Sequence, residues 1–164
     1  MQFYRDNTLR VNWSNYASGL FFVTICTHNR IKYFGRIENN VMLLSDVGQI
    51  LDMQIKATPL LRQDMSIDVV DYVIMPNHVH LLIHIGVHDE SGQTINDFDA
   101  QRKNLASVIR GIKCAVTSEC NARCLTFRWQ PRYYEEIIRV REKCENVIRY
   151  IDSNVINWGD DEYH

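Results

Sequence analysis

His78 and His80 are separated by one residue in Asn77-His78-Val79-His80-Leu81-Leu82-Ile83. Side chains alternate along a strand, so an extended backbone points both imidazoles to one face and Val79 and Leu81 to the other. Two imidazoles side by side on a rigid strand can share a divalent cation; a pair of surface or hydrogen-bonded histidines is the plainer alternative. His84 falls on the same face, at the strand's far end and beyond such a site. A second candidate lies near the C-terminus. Tyr150 and Asn154 are four residues apart, so on a helix they stack on one face, at the edge of the stripe Cys144, Val147, Ile148, Ile151, Val155. A tyrosine in that place is ordinarily core with its hydroxyl at the rim.

The elements that must hold these groups are legible from periodicity. Leu20 to Thr27 is a β-rich apolar run closed by His28-Asn29-Arg30. Val41 to Leu44 reads as a short strand. Ser45 then resembles an N-cap for a helix with Val47, Ile50, Leu51 and Ile55 at helical spacing, with Pro59 beyond its end. Ile67 to Met75 and His78 to Ile85 are strands joined by Pro76-Asn77, a turn signal, and so form an antiparallel hairpin. His88 to Asp99 is polar and reads as a surface loop. Leu105, Val108, Ile109, Ile112, Ala115 and Val116 mark a second amphipathic helix, with Arg110, Lys113 and Thr117 along its other side. A short strand at Tyr133-Tyr134 and a helix from about Glu142 to Asn154 complete the chain. Two long helices beside a mostly antiparallel sheet imply an α+β fold, ferredoxin-like, with helices packed on one face of the sheet. The expectation is a single domain over residues 1–164.

Composition narrows the class. The chain has 164 residues, of which 46% are hydrophobic and 23% charged, ordinary for a globular protein with a full core. No apolar run approaches a membrane span, and Met1 to Arg10 lacks the apolar stretch of a secretory signal, so a cytoplasmic location is expected. Five cysteines cannot all pair, and Cys120-x3-Cys124 departs from common zinc spacings; reduced, partly buried thiols fit better. The net charge of −2 hides an asymmetry: residues 101–150 carry 11 Lys/Arg against 5 Asp/Glu. Such a segment can present a polyanion with a positive surface, although a solvated helix face would have the same composition. Read residue by residue, the chain offers a candidate metal site and a candidate nucleic-acid surface.

Several ordered motifs go further. Pro76-Asn77-His78-Val79-His80, then Trp129-Gln130-Pro131-Arg132-Tyr133-Tyr134-Glu135-Glu136-Ile137-Ile138-Arg139, then Arg149-Tyr150-Ile151-x-x-Asn154 resemble the IS200-like Y1 (HUH) transposases, and among them the REP-associated tyrosine transposases. Phe22-Val23-Thr24-Ile25-Cys26-Thr27-His28-Asn29-Arg30 and Trp158-x-Asp160-Asp161-Glu162-Tyr163 resemble the same group, so the similarity spans nearly the whole chain. The resemblance implies a DNA strand-cleaving and strand-joining enzyme. Tyr150 would be the nucleophile, forming a 5′-phosphotyrosine intermediate. His78, His80 and Asn154 would hold Mg²⁺ or Mn²⁺, leaving positions for phosphate oxygens and water. Arg110, Lys113, Arg128, Arg132, Arg139 and Arg149 would hold phosphates, and Trp129, Tyr133 and Tyr134 would stack on unpaired bases.

The implied partner is single-stranded DNA containing a hairpin; the assembly is open between monomer and homodimer. The chain has Val155 where the family commonly has a proline, which should soften the end of the helix. Two rivals stand beside this reading. One is a nucleic-acid-binding module on the same fold that has lost the reaction. The other is a metallo-hydrolase using His78, His80 and His84, although a histidine-triad spacing would want His where Leu82 stands.

Overall fold

Strand β1 (Leu20–Cys26) has the sequence LFFVTIC and is buried along its entire length, which such a run achieves only when both faces are covered. The computed structural model describes residues 19–63, 65–88, 94–95, 98–161 and 163. The reading of Met1 to Arg10, and residues 89–93, 96 and 97 of the expected loop, fall outside the described residues.

After β1, a turn at His28–Arg30 places Asn29 and Arg30 in left-handed conformations, with φ of 52° and 57°. Strands β2 (Gly35–Glu38) and β3 (Val41–Leu44) form a separate hairpin across Asn39-Asn40, both at positive φ as a tight two-residue turn requires. Helix α1 (Asp46–Leu61) starts at Ser45, whose Oγ accepts from the Gly48 amide at 3.1 Å. The helix does not stop before Pro59, as expected from sequence, but carries it inside the last turn. Only the bond from residue 59 back to Ile55 is forgone there, and that close to the end few other carbonyls depend on the proline.

Strands β4 (Ser66–Met75) and β5 (His78–His88) make the expected hairpin, with Met75 opposite His78 and Val73 opposite His80. A register irregularity at Val69/Asp71 interrupts it. The segment read as a loop contains a two-residue strand, β6 (Thr94–Ile95), paired with β5, and the second helix starts earlier than its apolar stripe suggested: α2 is Phe98–Ala122. Strand β7 (Tyr134–Ile137) follows, then α3 (Arg141–Ser153). The sheet order is β4-β5-β1-β7, antiparallel at each pairing, so β5 and β1 are central and β7 is an edge.

The fold is the α+β arrangement expected, an antiparallel sheet with helices packed against it, except that helices cover both faces of the sheet rather than one. Strand alternation assigns the layers. Phe21, Val23, Ile25, Val79, Leu81, Ile83 and Ile85 pack with α1 and α2 on one face. Leu20, Phe22 and Leu82 turn to the other face and meet Cys144, Val147, Ile148 and Ile151 of α3. Apart from that stripe α3 is polar, and a 13-residue helix of such composition is marginal alone. Burial of its aliphatic side chains, worth about 1.5–3 kcal/mol each, holds it on the sheet. His78 and His80 share the α3 face with Leu82.

Candidate metal centre and nucleophile

On the central strand β5 both imidazoles are buried, His78 at 0% and His80 at 1% exposure, and their Nε2 atoms approach to 3.0 Å. Each ring is held from behind. Asn77 Oδ1 lies 2.9 Å from His78 Nδ1, and Thr24 Oγ1 of β1 lies 2.8 Å from His80 Nδ1. Burial lowers the pKa of His78 to about 2, helped by the charges of His80 and Arg30, and burial lowers that of His80 to about 3. Both rings are therefore neutral at physiological pH, the form in which imidazole is a metal ligand.

The α3 residues close on the pair. Tyr150 is 40% exposed, yet its hydroxyl lies 3.2 Å from His80 Nε2 and its ring meets that of His80 edge-on at 5.1 Å. One turn later Asn154 is 3% exposed, and its Oδ1 is buried without a hydrogen-bond partner among the described residues. Such an atom ordinarily finds a partner or costs about 1–3 kcal/mol. Tyr150, Asn154, His80, Thr24 and Phe22 line one cleft of about 710 Å³, together with Tyr134, Glu136 and Lys143.

Past α3 the chain folds back over the histidines, which the sequence pattern does not foretell. Asp161 brings its Oδ2 to 3.9 Å from His78 Nε2 with a side chain only 2% exposed. His78, His80 and Asp161 together form a group able to hold a metal ion. The Tyr163 ring lies 4.7 Å from that of His78, under the Arg30 guanidinium at 4.3 Å, and its carbonyl accepts from Asn77 Nδ2 at 2.7 Å. Asp161 carries no signal of its own beyond membership of the closing Trp158-x-Asp160-Asp161 motif. Its proximity to His78 is a purely tertiary fact.

The donor set suits a divalent cation: two neutral imidazoles converging at 3.0 Å, an unpaired amide oxygen and a carboxylate. No family model matches the chain. It is 32% identical over 168 residues to an uncharacterised protein of Haemophilus influenzae (strain Rd), the match covering 96% of this chain and 92% of that one. A solved REP-associated tyrosine transposase, bound to a REP hairpin, is similar with a TM-score of 0.58 and 25% identity, over 87% of this chain and 69% of that one. The chain has an IS200-like Y1 (HUH) transposase-like fold. A looser likeness, TM-score 0.40 at 17% identity over 82% of this chain and 88% of the other, links it to a candidate transposase of Deinococcus radiodurans R1. The similarity to the REP-associated tyrosine transposase supports a transposase-like function for this chain.

The remaining candidate residues do not share one surface. Arg110, Lys113, Trp129 and Tyr133 line a second cleft, of about 640 Å³, between α2 and the segment before β7. That cleft lies on the α1/α2 face, opposite the histidines. Lys113 is engaged there: Nζ donates to the carbonyls of Gln130 at 2.6 Å and Pro131 at 3.2 Å, and partial burial lowers its pKa. Trp129 Nε1 in turn donates to the Lys113 carbonyl at 3.1 Å, and its ring packs on Phe34 and Phe127. Arg110, Arg128, Arg132, Arg139 and Arg149 are exposed. Tyr133 and Tyr134 point to opposite faces of the sheet edge, one into each cleft. His84 stands opposite Leu20 and Asp68, four residues along β5 from His80 and outside the metal-capable group. α3 ends at Ser153 and gives way to a turn that includes Val155.

Proposed function

We propose that the protein is a metal-dependent single-stranded DNA transposase that cleaves and rejoins DNA at hairpin-containing repeats through Tyr150. The observation carrying this reading is the placement of the Tyr150 hydroxyl 3.2 Å from His80 Nε2, at the lip of a cleft that also holds the unpaired Asn154 Oδ1. The similarity to a transposase bound to a REP hairpin supports hairpin DNA as the substrate class.

His78, His80 and Asn154 are the residues that would hold Mg²⁺ or Mn²⁺, with Asp161 near enough to join them. Such an ion supplies charge stabilisation at the scissile phosphate. The Tyr150 oxygen attacks phosphorus in line, the P–O3′ bond breaks, and the DNA 5′ end remains on the tyrosine. The phenolic proton leaves to a base or water, and the departing 3′ oxygen takes up a proton to become a hydroxyl. Because the phosphodiester is conserved in the tyrosyl linkage, another 3′-hydroxyl can reverse the step and join new strands. Exposed Arg110, Arg128, Arg132, Arg139 and Arg149 would contact phosphates, while Lys113 and Trp129 shape the second cleft.

The test is incubation of labelled single-stranded hairpins, taken from repeats flanking the gene, with the protein and Mn²⁺, followed by a denaturing gel. A covalent protein–DNA band, lost in Tyr150→Phe and in His78→Ala, is expected. Binding without that band across metals and substrates would instead identify a nucleic-acid-binding module. A hydrolase using bound water would keep cutting in Tyr150→Phe.

A further inference from the structure

The cleft that holds Tyr150 extends sideways to the edge of the sheet. Thr24 of β1 stands opposite both His80 of β5 and Tyr134 of β7, so the three lie in one row across the sheet, and all three line the cleft. Adjacent strands are about 4.8 Å apart, which puts the Tyr134 backbone about 10 Å from that of His80. Tyr134 differs from the other tyrosines of the cleft. The rings of Tyr150 and Tyr163 pack against His80 and His78, whereas Tyr134 is 53% exposed and its side chain has no ring contact or hydrogen bond among the described residues. Two residues along the edge strand, Glu136 shares that face and meets Lys143 of α3 at 3.0 Å. Lys143 is the one fixed cation among the described residues that line the cleft. An ammonium has three N–H donors, so Lys143 can keep Glu136 and still hold a phosphate oxygen.

We propose that Tyr134 and Lys143 form a subsite for one unpaired nucleotide of the substrate, its base stacked on the Tyr134 ring and its phosphate on the Lys143 ammonium, next to the phosphate that Tyr150 attacks. The inference deepens the proposed function and rests on it for the identity of that neighbouring phosphate. An open aromatic face with a cation beside it holds a single strand with little regard to sequence, because every base has a π-face and every nucleotide a phosphate. A base inside a duplex is already stacked on its neighbours and has no face to offer the ring. The subsite therefore selects for an unpaired nucleotide at the point of cleavage and keeps a hairpin stem out of the cleft. Lys143 also offsets the Glu136 carboxylate, which would otherwise repel the incoming phosphate.

The test reads binding rather than cutting. Tyr150→Phe is the background, Mg²⁺ is present throughout, and the probe is a hairpin with a single-stranded flank carrying 2-aminopurine at one position at a time. Stacking on tyrosine quenches this fluorescent base. Strong quenching is expected at one position, flanking the phosphate that wild type cleaves, lost in Tyr134→Ala and kept in Tyr134→Phe. An abasic residue at that position should weaken binding about 5–150-fold, the range for one stacked base, and Tyr134→Ala should add little on the abasic strand. Lys143→Met should lower the slope of log affinity against log salt by about 0.7, one phosphate contact on a single strand. Quenching that survives Tyr134→Ala, or equal weakening of intact and abasic strands by Tyr134→Ala at every position, would overturn the proposal even where wild type forms the covalent band. A position coupled to Tyr134 with no covalent band from wild type would leave the nucleotide subsite standing and sink the transposase reading instead.

Discussion

At the scale of single residues, two features depart from what burial usually allows. The first is a pair of neutral, fully buried imidazoles with pKa values near 2 and 3. An unfolded histidine titrates near ~6.5, so below that pH the unfolded chain binds protons that the folded chain refuses. Stability unaffected by these groups above pH ~6.5 should therefore fall as the pH drops, by up to ~1.4 kcal/mol per unit for each ring. Urea unfolding of the metal-free protein between neutrality and pH 5 should show this slope, and a His78→Gln/His80→Gln variant should flatten it. Equal slopes would mean the rings are open to protons in the native state. The second feature is Asn154 Oδ1, buried and without a hydrogen-bond partner among the described residues. An atom retained at a cost to stability suggests a functional use. Asn154→Leu should hold or raise the melting temperature of the protein without added metal, while abolishing the rise that Mn²⁺ is expected to cause in wild type. A fall in the metal-free melting temperature would show instead that the amide is structural.

At the scale of elements, local signals are strong where one stretch of chain decides the outcome. The apolar run of β1, the Pro76-Asn77 turn, the Ser45 cap and the stripe of α3 are all readable, because turn chemistry and side-chain period act over a few residues. Strand β2 is not: GRIE has no apolar run, and it becomes a strand only by pairing with β3 across Asn39-Asn40. Pro59 misleads because its usual penalty shrinks in a last turn. The start of α1 shows how tightly these pieces are joined. The Ser45 hydroxyl accepts from Gly48 N and donates to the Tyr33 carbonyl at 2.6 Å, and a Cβ on Gly48 would come within 2.1 Å of the Phe34 carbonyl oxygen. Ser45→Ala should cost about 1 kcal/mol, as loss of a cap usually does. Gly48→Ala should cost more, despite alanine's better helix propensity, because the helix must retreat from the segment that leads into β2. Chemical denaturation of both variants checks the order; a stabilising Gly48→Ala would contradict the close contact.

For the whole molecule, alternation along a strand foretells that His78 and His80 share a face, but not which helix covers that face. That is why the basic and aromatic residues 110–133 can be read as one surface with the histidines, when Lys113 and Trp129 in fact lie across the sheet from Tyr150. A single strand touching both clefts must round the β7 edge, where Tyr133 and Tyr134 diverge. Arg110→Ala should then weaken hairpin binding and reduce the salt dependence by about one charge equivalent, while Mn²⁺ affinity stays unchanged. An unchanged salt slope would remove the second cleft from the binding path. The spread of the site along the chain has one more consequence, for synthesis. His80 and the tyrosine that approaches it are 70 residues apart. At ribosomal speeds of ~5–20 residues per second, roughly 4–14 seconds separate their appearance. On the proposed reading of Tyr150 as nucleophile, a nascent or prematurely terminated polypeptide would carry the imidazoles long before it had anything to attack a phosphate, and fragments released short of α3 would be incapable of attaching themselves to the genome that encodes them.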